Sequence, residues 1–121
     1  MQQGLPAIAL TEHSALSTAV QNDLDPSLAA AQQVVGYGKP GDVVLGISTS
    51  GNAKNVLLAL SVAKALGMTI LGLTGETGGL IAEMCADTIC VPGTTPAAVQ
   101  ELHLPVYHTL CAMLEAAFFE A

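Results

Sequence analysis

Four apolar runs of β type, at residues 5–10, 42–47, 68–74 and 86–91, alternate with helical patterns and constrain this chain more than any other feature. Strands that read apolar on both faces are buried strands of a parallel sheet. Between them, a weak helical stretch covers residues 15–24. A second helix starts at Asp25, with Pro26 at its first position, and runs to about Val35, where Gly36-Tyr37-Gly38-Lys39-Pro40-Gly41 breaks it. Val56, Leu57, Leu60, Ala63 and Leu66 share one apolar helical face that Gly67 closes. A short helix is expected at about 79–84, and Thr95 caps a long last one with Pro96 at its first position, reaching Phe119. Strand–helix alternation of this kind predicts a single α/β domain over residues 1–121. Right-handed crossovers make it a three-layer sandwich, a mostly parallel four-stranded sheet flanked by helices.

Within that frame one stretch carries chemistry. Val43-Val44-Leu45-Gly46-Ile47 ends in Ser48-Thr49-Ser50-Gly51-Asn52, which passes straight into the helical pattern. Ligands of parallel sheets bind beyond the carboxyl ends of the strands. There the three hydroxyls, a turning glycine and the unpaired N–H groups of a helix start suit a phosphate or another small anion. The competing reading is an ordinary helix cap, since Ser, Thr and Asn are the usual N-cap residues.

Composition narrows the partners. The 121 residues hold three Lys, no Arg and ten acidic residues, a net charge of −7. Such a surface repels nucleic acid and anionic membranes, so neither is expected as a direct partner. An anionic substrate must be held by local donors and helix ends. Charged residues are only 11% of the chain, against about a quarter in an ordinary domain, and self-association is the natural inference. No apolar run approaches the ~18 residues of a membrane span, and the start lacks a signal-peptide pattern, so a cytoplasmic location is expected. Cys85, Cys90 and Cys111, odd in number and without C-x-x-C spacing, read as reduced, buried thiols.

Gly46-Ile47-Ser48-Thr49-Ser50-Gly51-Asn52, then Leu71-Gly72-Leu73-Thr74-Gly75, then Val99-Gln100-Glu101-Leu102-His103 together resemble the sugar isomerase (SIS) domain. The likeness runs from Leu5 to about Phe118. Within that superfamily it is most similar to the phosphoheptose isomerases, which convert sedoheptulose 7-phosphate to D-glycero-D-manno-heptose 7-phosphate. The Ser-Thr-Ser-Gly-Asn loop marks the superfamily, and Gln-x-x-His-x-x-x-x-His on the last helix narrows it to the heptose branch or its non-catalytic relatives. By the resemblance, Ser48, Thr49 and Ser50 bind the sugar phosphate. Asn22 and Asp23, in the loop after the first strand, contact substrate, or else simply form a turn. Gln100 and His108 ligate zinc and face the sugar carbonyl carbons, His108 also serving as general acid or base. His103 is expected to pack or cap. The resemblance further implies a homo-oligomer, dimer or tetramer, with shared active sites.

Geometry and departures temper the catalytic half. Gln100 and His108 stand roughly 12 Å and about 80° apart on an ideal helix, so they meet only on a ligand lying between them. Zinc takes four ligands, or three and a water, and this chain offers two. Pro105 between them is expected to kink the helix. Ala53 stands where the family commonly has another phosphate-loop Ser, and Ala97 where the phosphoheptose enzymes have an Asp. The family's amino-terminal segment, with the first sheet strand, a His and the catalytic Glu, is absent from this sequence. In the family that strand lies between the counterparts of 6–10 and 42–47, so a gap there, or direct pairing, is expected. Either the missing strand comes from another polypeptide, or the first strand here is placed differently, or the sequence is part of a longer product. An enediol isomerisation needs a base that moves a proton between neighbouring carbons. With His108 alone, efficient turnover is not expected. The readings that stand are an aldose–ketose isomerase completed by a second chain, a phosphosugar-binding or protein-binding module of the replication-initiator-associating type, and an inactive fragment.

Overall fold

The computed structural model describes residues 3–119. Helix α1 (Ser14–Asp23) leads through a 3-10 turn (Pro26–Leu28) into α2 (Ala29–Tyr37). There follow β1 (Val43–Ser48), α3 (Lys54–Ala65), β2 (Thr69–Thr74), α4 (Gly79–Met84), β3 (Asp87–Cys90) and α5 (Pro96–Phe119). The sheet is parallel, ordered β1-β2-β3, with Val43 opposite Thr69 and Leu71 opposite Asp87. Helices flank it in three layers.

Register explains the layering. Gly46 and Gly72 are partners and point to the same face. A β-carbon on Gly46 would press on Leu60 and Val56 of α3, and one on Gly72 would press on Ile81 of α4. The missing side chains let both helices settle close to the sheet. Ala31 and Val34 of α2, Ala59, Leu60 and Ala63 of α3, Ile70 and Ile81 form the core on that side. Small alanines at the α2–α3 contact bring the two helices together, as expected of a core without large aromatics. The opposite face meets α5, whose Val106, Leu110 and Met113 line a shallow groove with Ile89.

Two expectations are corrected here. The sheet has three strands, not four, because residues 5–10 form no strand. The run is apolar enough, but it has no neighbour to complete a ladder, and Leu5 and Ile8 lie exposed. Its end is held instead by a side chain: the buried Gln33 amide of α2 donates to the Leu10 carbonyl at 2.6 Å. Of the alternatives raised by the sequence, the gap beside β1 is the one observed among the described residues. The second correction concerns the thiols. All three are free, yet only Cys85 is partly buried, and Cys90 and Cys111 are exposed.

Pro105 sits inside α5 without interrupting it. On an exposed helix the loss of one N–H donor is absorbed, and Thr109 Oγ1 donates to the Pro105 carbonyl at 2.7 Å. No helix among the described residues is long and apolar enough to cross a membrane.

Burial pushes the Cys85 thiol above its ordinary value, which lowers its thiolate fraction and with it its reactivity. Titration with a disulfide reagent at neutral pH should therefore show two fast thiols and one slower by about tenfold. Equal rates for all three would contradict the placement of Cys85.

Candidate functional site

The loop after β1 is built by its hydrogen bonds. Gly51, at φ 69°, turns the chain back so that its N–H donates to the Ser48 carbonyl at 3.1 Å. Asn52 closes the turn from both sides. Its N–H donates to Ser50 Oγ at 3.2 Å and its side-chain amide donates to the Ser50 carbonyl at 3.0 Å. The loop then docks on the segment after β2. Leu80 N–H donates to Asn52 Oδ1, and Ile81 N–H to the Gly51 carbonyl, each at 3.0 Å. Gly75 N–H donates to the Thr49 carbonyl at 3.1 Å. Contact is so close that a β-carbon on Gly51 would overlap the Gly78 carbonyl, and one on Gly79 would lie 2.7 Å from Gly51 backbone atoms.

These bonds decide where donors remain. The first N–H groups of α4 are taken up by the loop. Those of α3 are not: Leu57 N–H is the first to bond within it, to the Ala53 carbonyl. The N-cap of α3 is Ala53, which has no polar side chain, and no side-chain cap is made. The hydroxyls and the amide that the cap reading would assign to this helix are therefore not capping it. Lys54, Asn55 and Val56 present free N–H groups at the positive end of a twelve-residue helix.

Ser48 lies on the α3 side of the sheet, two residues beyond Gly46 and so beside the helix start. It is 8% exposed, and its hydroxyl has no hydrogen-bond partner among the described residues. The Thr49 hydroxyl, half-buried, is unpartnered as well, and Ser50 Oγ keeps its own proton to donate. Lys54 is the one cation at this end of the sheet, since Lys39 precedes β1 and Lys64 sits in the last turn of α3. Its Nζ lies 3.7 Å from Asp25, an exposed pair. The Asp25 carboxyl accepts from the Ser27 hydroxyl at 2.7 Å and the Ser27 N–H at 2.8 Å, and these bonds hold it below its ordinary value.

The remaining site residues fall elsewhere. Asn22 and Asp23 end α1 and are exposed; they do not sit in a loop after a strand, because no strand precedes them. Only the link from Asp25 to Lys54 brings that end of α1 toward the phosphate-type loop. On α5, Val99 and His103 are buried, and His103 Nε2 lies 3.0 Å from the Thr74 carbonyl. That carbonyl, at the carboxyl end of β2, accepts the ring N–H, so His103 anchors the helix as expected. Gln100 and His108 are both exposed. His108 stands about 140–180° around the helix from the buried pair, directed away from the sheet, with its ring 5.2 Å from that of Tyr107. No three His, Cys, Asp or Glu side chains converge on a metal position among the described residues. Two exposed ligands on one helix do not fit a zinc centre within this chain.

Sequence reasoning missed Asn52 and the Gly75-Glu76-Thr77-Gly78-Gly79 turn as parts of the site. The signal was present: two glycine-rich turns at the carboxyl ends of neighbouring strands mean two backbones in contact.

Comparison with known proteins follows this geometry. A family model described as SIS domain matches residues 2–75. Phosphoheptose isomerase of Roseiflexus sp. is 41% identical over 119 residues, 98% of this chain and 60% of its own length. That of Geotalea daltonii is 46% identical over 118 residues, 98% of this chain and 62% of its own. Among solved structures, phosphoheptose isomerase GmhA from Neisseria gonorrhoeae superposes with a TM-score of 0.86 at 38% identity, over 90% of this chain and 61% of that one. A phosphoheptose isomerase from Francisella tularensis gives 0.86 at 39%, over 92% and 60%. The chain thus spans about three-fifths of the length of the relatives it matches.

Proposed function

The chain belongs to the SIS-domain family, and from that premise we propose that Ser48, Thr49, Ser50 and the start of α3 bind the phosphate of a sugar of the sedoheptulose 7-phosphate class. The observation that carries this is the uncapped start of α3, with three N–H groups free beside hydroxyls that make no cap. A buried, unpartnered hydroxyl costs stability unless a ligand or water completes it. A phosphate supplies acceptors to hydroxyls and N–H groups alike. Support from relatives lies in their name, which is that of enzymes acting on a phosphorylated heptose.

The reaction itself is a separate matter. Gln100 and His108 favour descent from an isomerase, but a proton shuttle between adjacent carbons needs a base directed at the sugar. His108 is directed away from the sheet that carries the phosphate loop. Binding without turnover is therefore the function proposed for these 121 residues on their own.

Incubation of the chain with sedoheptulose 7-phosphate and zinc, with product followed by chromatography, tests this. The expected result is a raised melting temperature with no heptose 7-phosphate isomer formed. Ligand at a hundredfold excess over its dissociation constant stabilises by about 2.7 kcal/mol, a shift of several degrees. Turnover by the chain alone would refute the binding-only reading.

A further inference from the structure

Strand β1 has one hydrogen-bonded neighbour, β2, and its other edge carries a row of free backbone donors and acceptors. The face away from α3 is also open beside it. Val43, Leu45 and Ile47, which alternate on that face, are 60%, 42% and 47% exposed. Further along the same face Leu73 is buried and Ile89 meets α5, so the opening is confined to the β1 side. Parallel strands are covered on both faces in stable domains. An edge and an apolar strip that coincide on one strand are the two halves of a single docking surface.

We propose that this surface takes up a strand–helix segment in trans: an extended stretch with alternate apolar side chains that adds to the β1 edge, leading into a helix whose apolar stripe covers Val43, Leu45 and Ile47. Three observations select that occupant. The matched part of the Neisseria gonorrhoeae enzyme has the same shape as this chain, so the two-fifths of that enzyme without a counterpart here must pack outside it. Val43, Leu45 and Ile47 carry no charge, so the partner's covering face is apolar. A second copy is disfavoured, because each chain carries a net charge of −7 and like charges oppose their approach. The residues 5–9 of the chain itself make no backbone bond to β1. The inference rests on the fold and is independent of the phosphate reading, which sugar-phosphate titration of the chain alone decides.

The probe is the part of the Neisseria gonorrhoeae enzyme with no counterpart in this chain, made as a separate polypeptide and co-expressed with all 121 residues. The expected product is a 1:1 complex by light scattering, with amide exchange over residues 43–48 slowed at least ~10-fold relative to the chain alone. Ile47→Lys changes an exposed side chain, so the chain should keep its melting temperature while its capture of the probe falls ~10-fold or more. Capture on co-expression is read directly, so a probe insoluble by itself still gives an answer. Failure of wild type to capture the probe would overturn the proposal, as would capture without protection of β1 or capture unaffected by Ile47→Lys. A homodimer of the unmixed chain with β1 already protected would assign the surface to a second copy and overturn it as well.

Discussion

Gly51→Ala is expected to destabilise the domain by about 3 kcal/mol and to lower its melting temperature by about 10 °C. Two costs add. At φ 69° an L side chain is strained by roughly 1–2 kcal/mol. The added β-carbon must also displace the Gly78 carbonyl, parting the two loops and weakening the bonds from Ile81 N–H to Gly51 and from Leu80 N–H to Asn52. Each such bond is worth about 0.5–1.5 kcal/mol. Gly41 separates the two costs, since its φ is 90° but nothing lies within 4 Å of an added β-carbon. Gly41→Ala should show the strain alone, about a third to a half of the loss. Should thermal unfolding give equal losses for the two variants, the close stacking of the loops is wrong.

The paired substitution Ser48→Ala and Ser50→Ala should act in the opposite manner, leaving the fold nearly intact and removing the ligand. Ser48 makes no internal hydrogen bond, and Ser50 gives up only the acceptance from Asn52 N–H. The stability change is therefore expected to stay near 1 kcal/mol. Hydrogen bonds to a charged group are worth about 1.5–3 kcal/mol each, so two lost hydroxyls should weaken sugar-phosphate binding by a hundredfold or more. Isothermal titration of both proteins measures the difference. A variant that binds as wild type would remove these hydroxyls from the site.

Much of this was legible before any coordinates. The apolar face of α3, its glycine stop and the Pro at the start of α5 follow from local rules and are observed where those rules put them. The strand expected at 5–10 failed because a strand is not a local object: the same residues pair when an edge is offered and stay unpaired when it is not. Asn22 and Asp23 were misplaced for that reason, since their loop was defined by the strand before it. The thiols were misjudged because the rule that cysteine is buried assumes a sheet covered on both faces. Cys111 lies on an exposed stretch of α5. Residue identity marked Ser48, Thr49 and Ser50 as donors. Their freedom to act, however, depends on Ala53 being the N-cap and on α4 occupying the other loop atoms, both long-range outcomes.

The central claim is that the loop after β1 recognises a phosphate and not the sugar as such. Calorimetric titration of the chain with sedoheptulose 7-phosphate, set beside the same titration with unphosphorylated sedoheptulose, tests it most directly. The account predicts saturable binding of the phosphorylated sugar and none of the free sugar at the same concentrations. Equal binding of the two, or no binding of either, would contradict it.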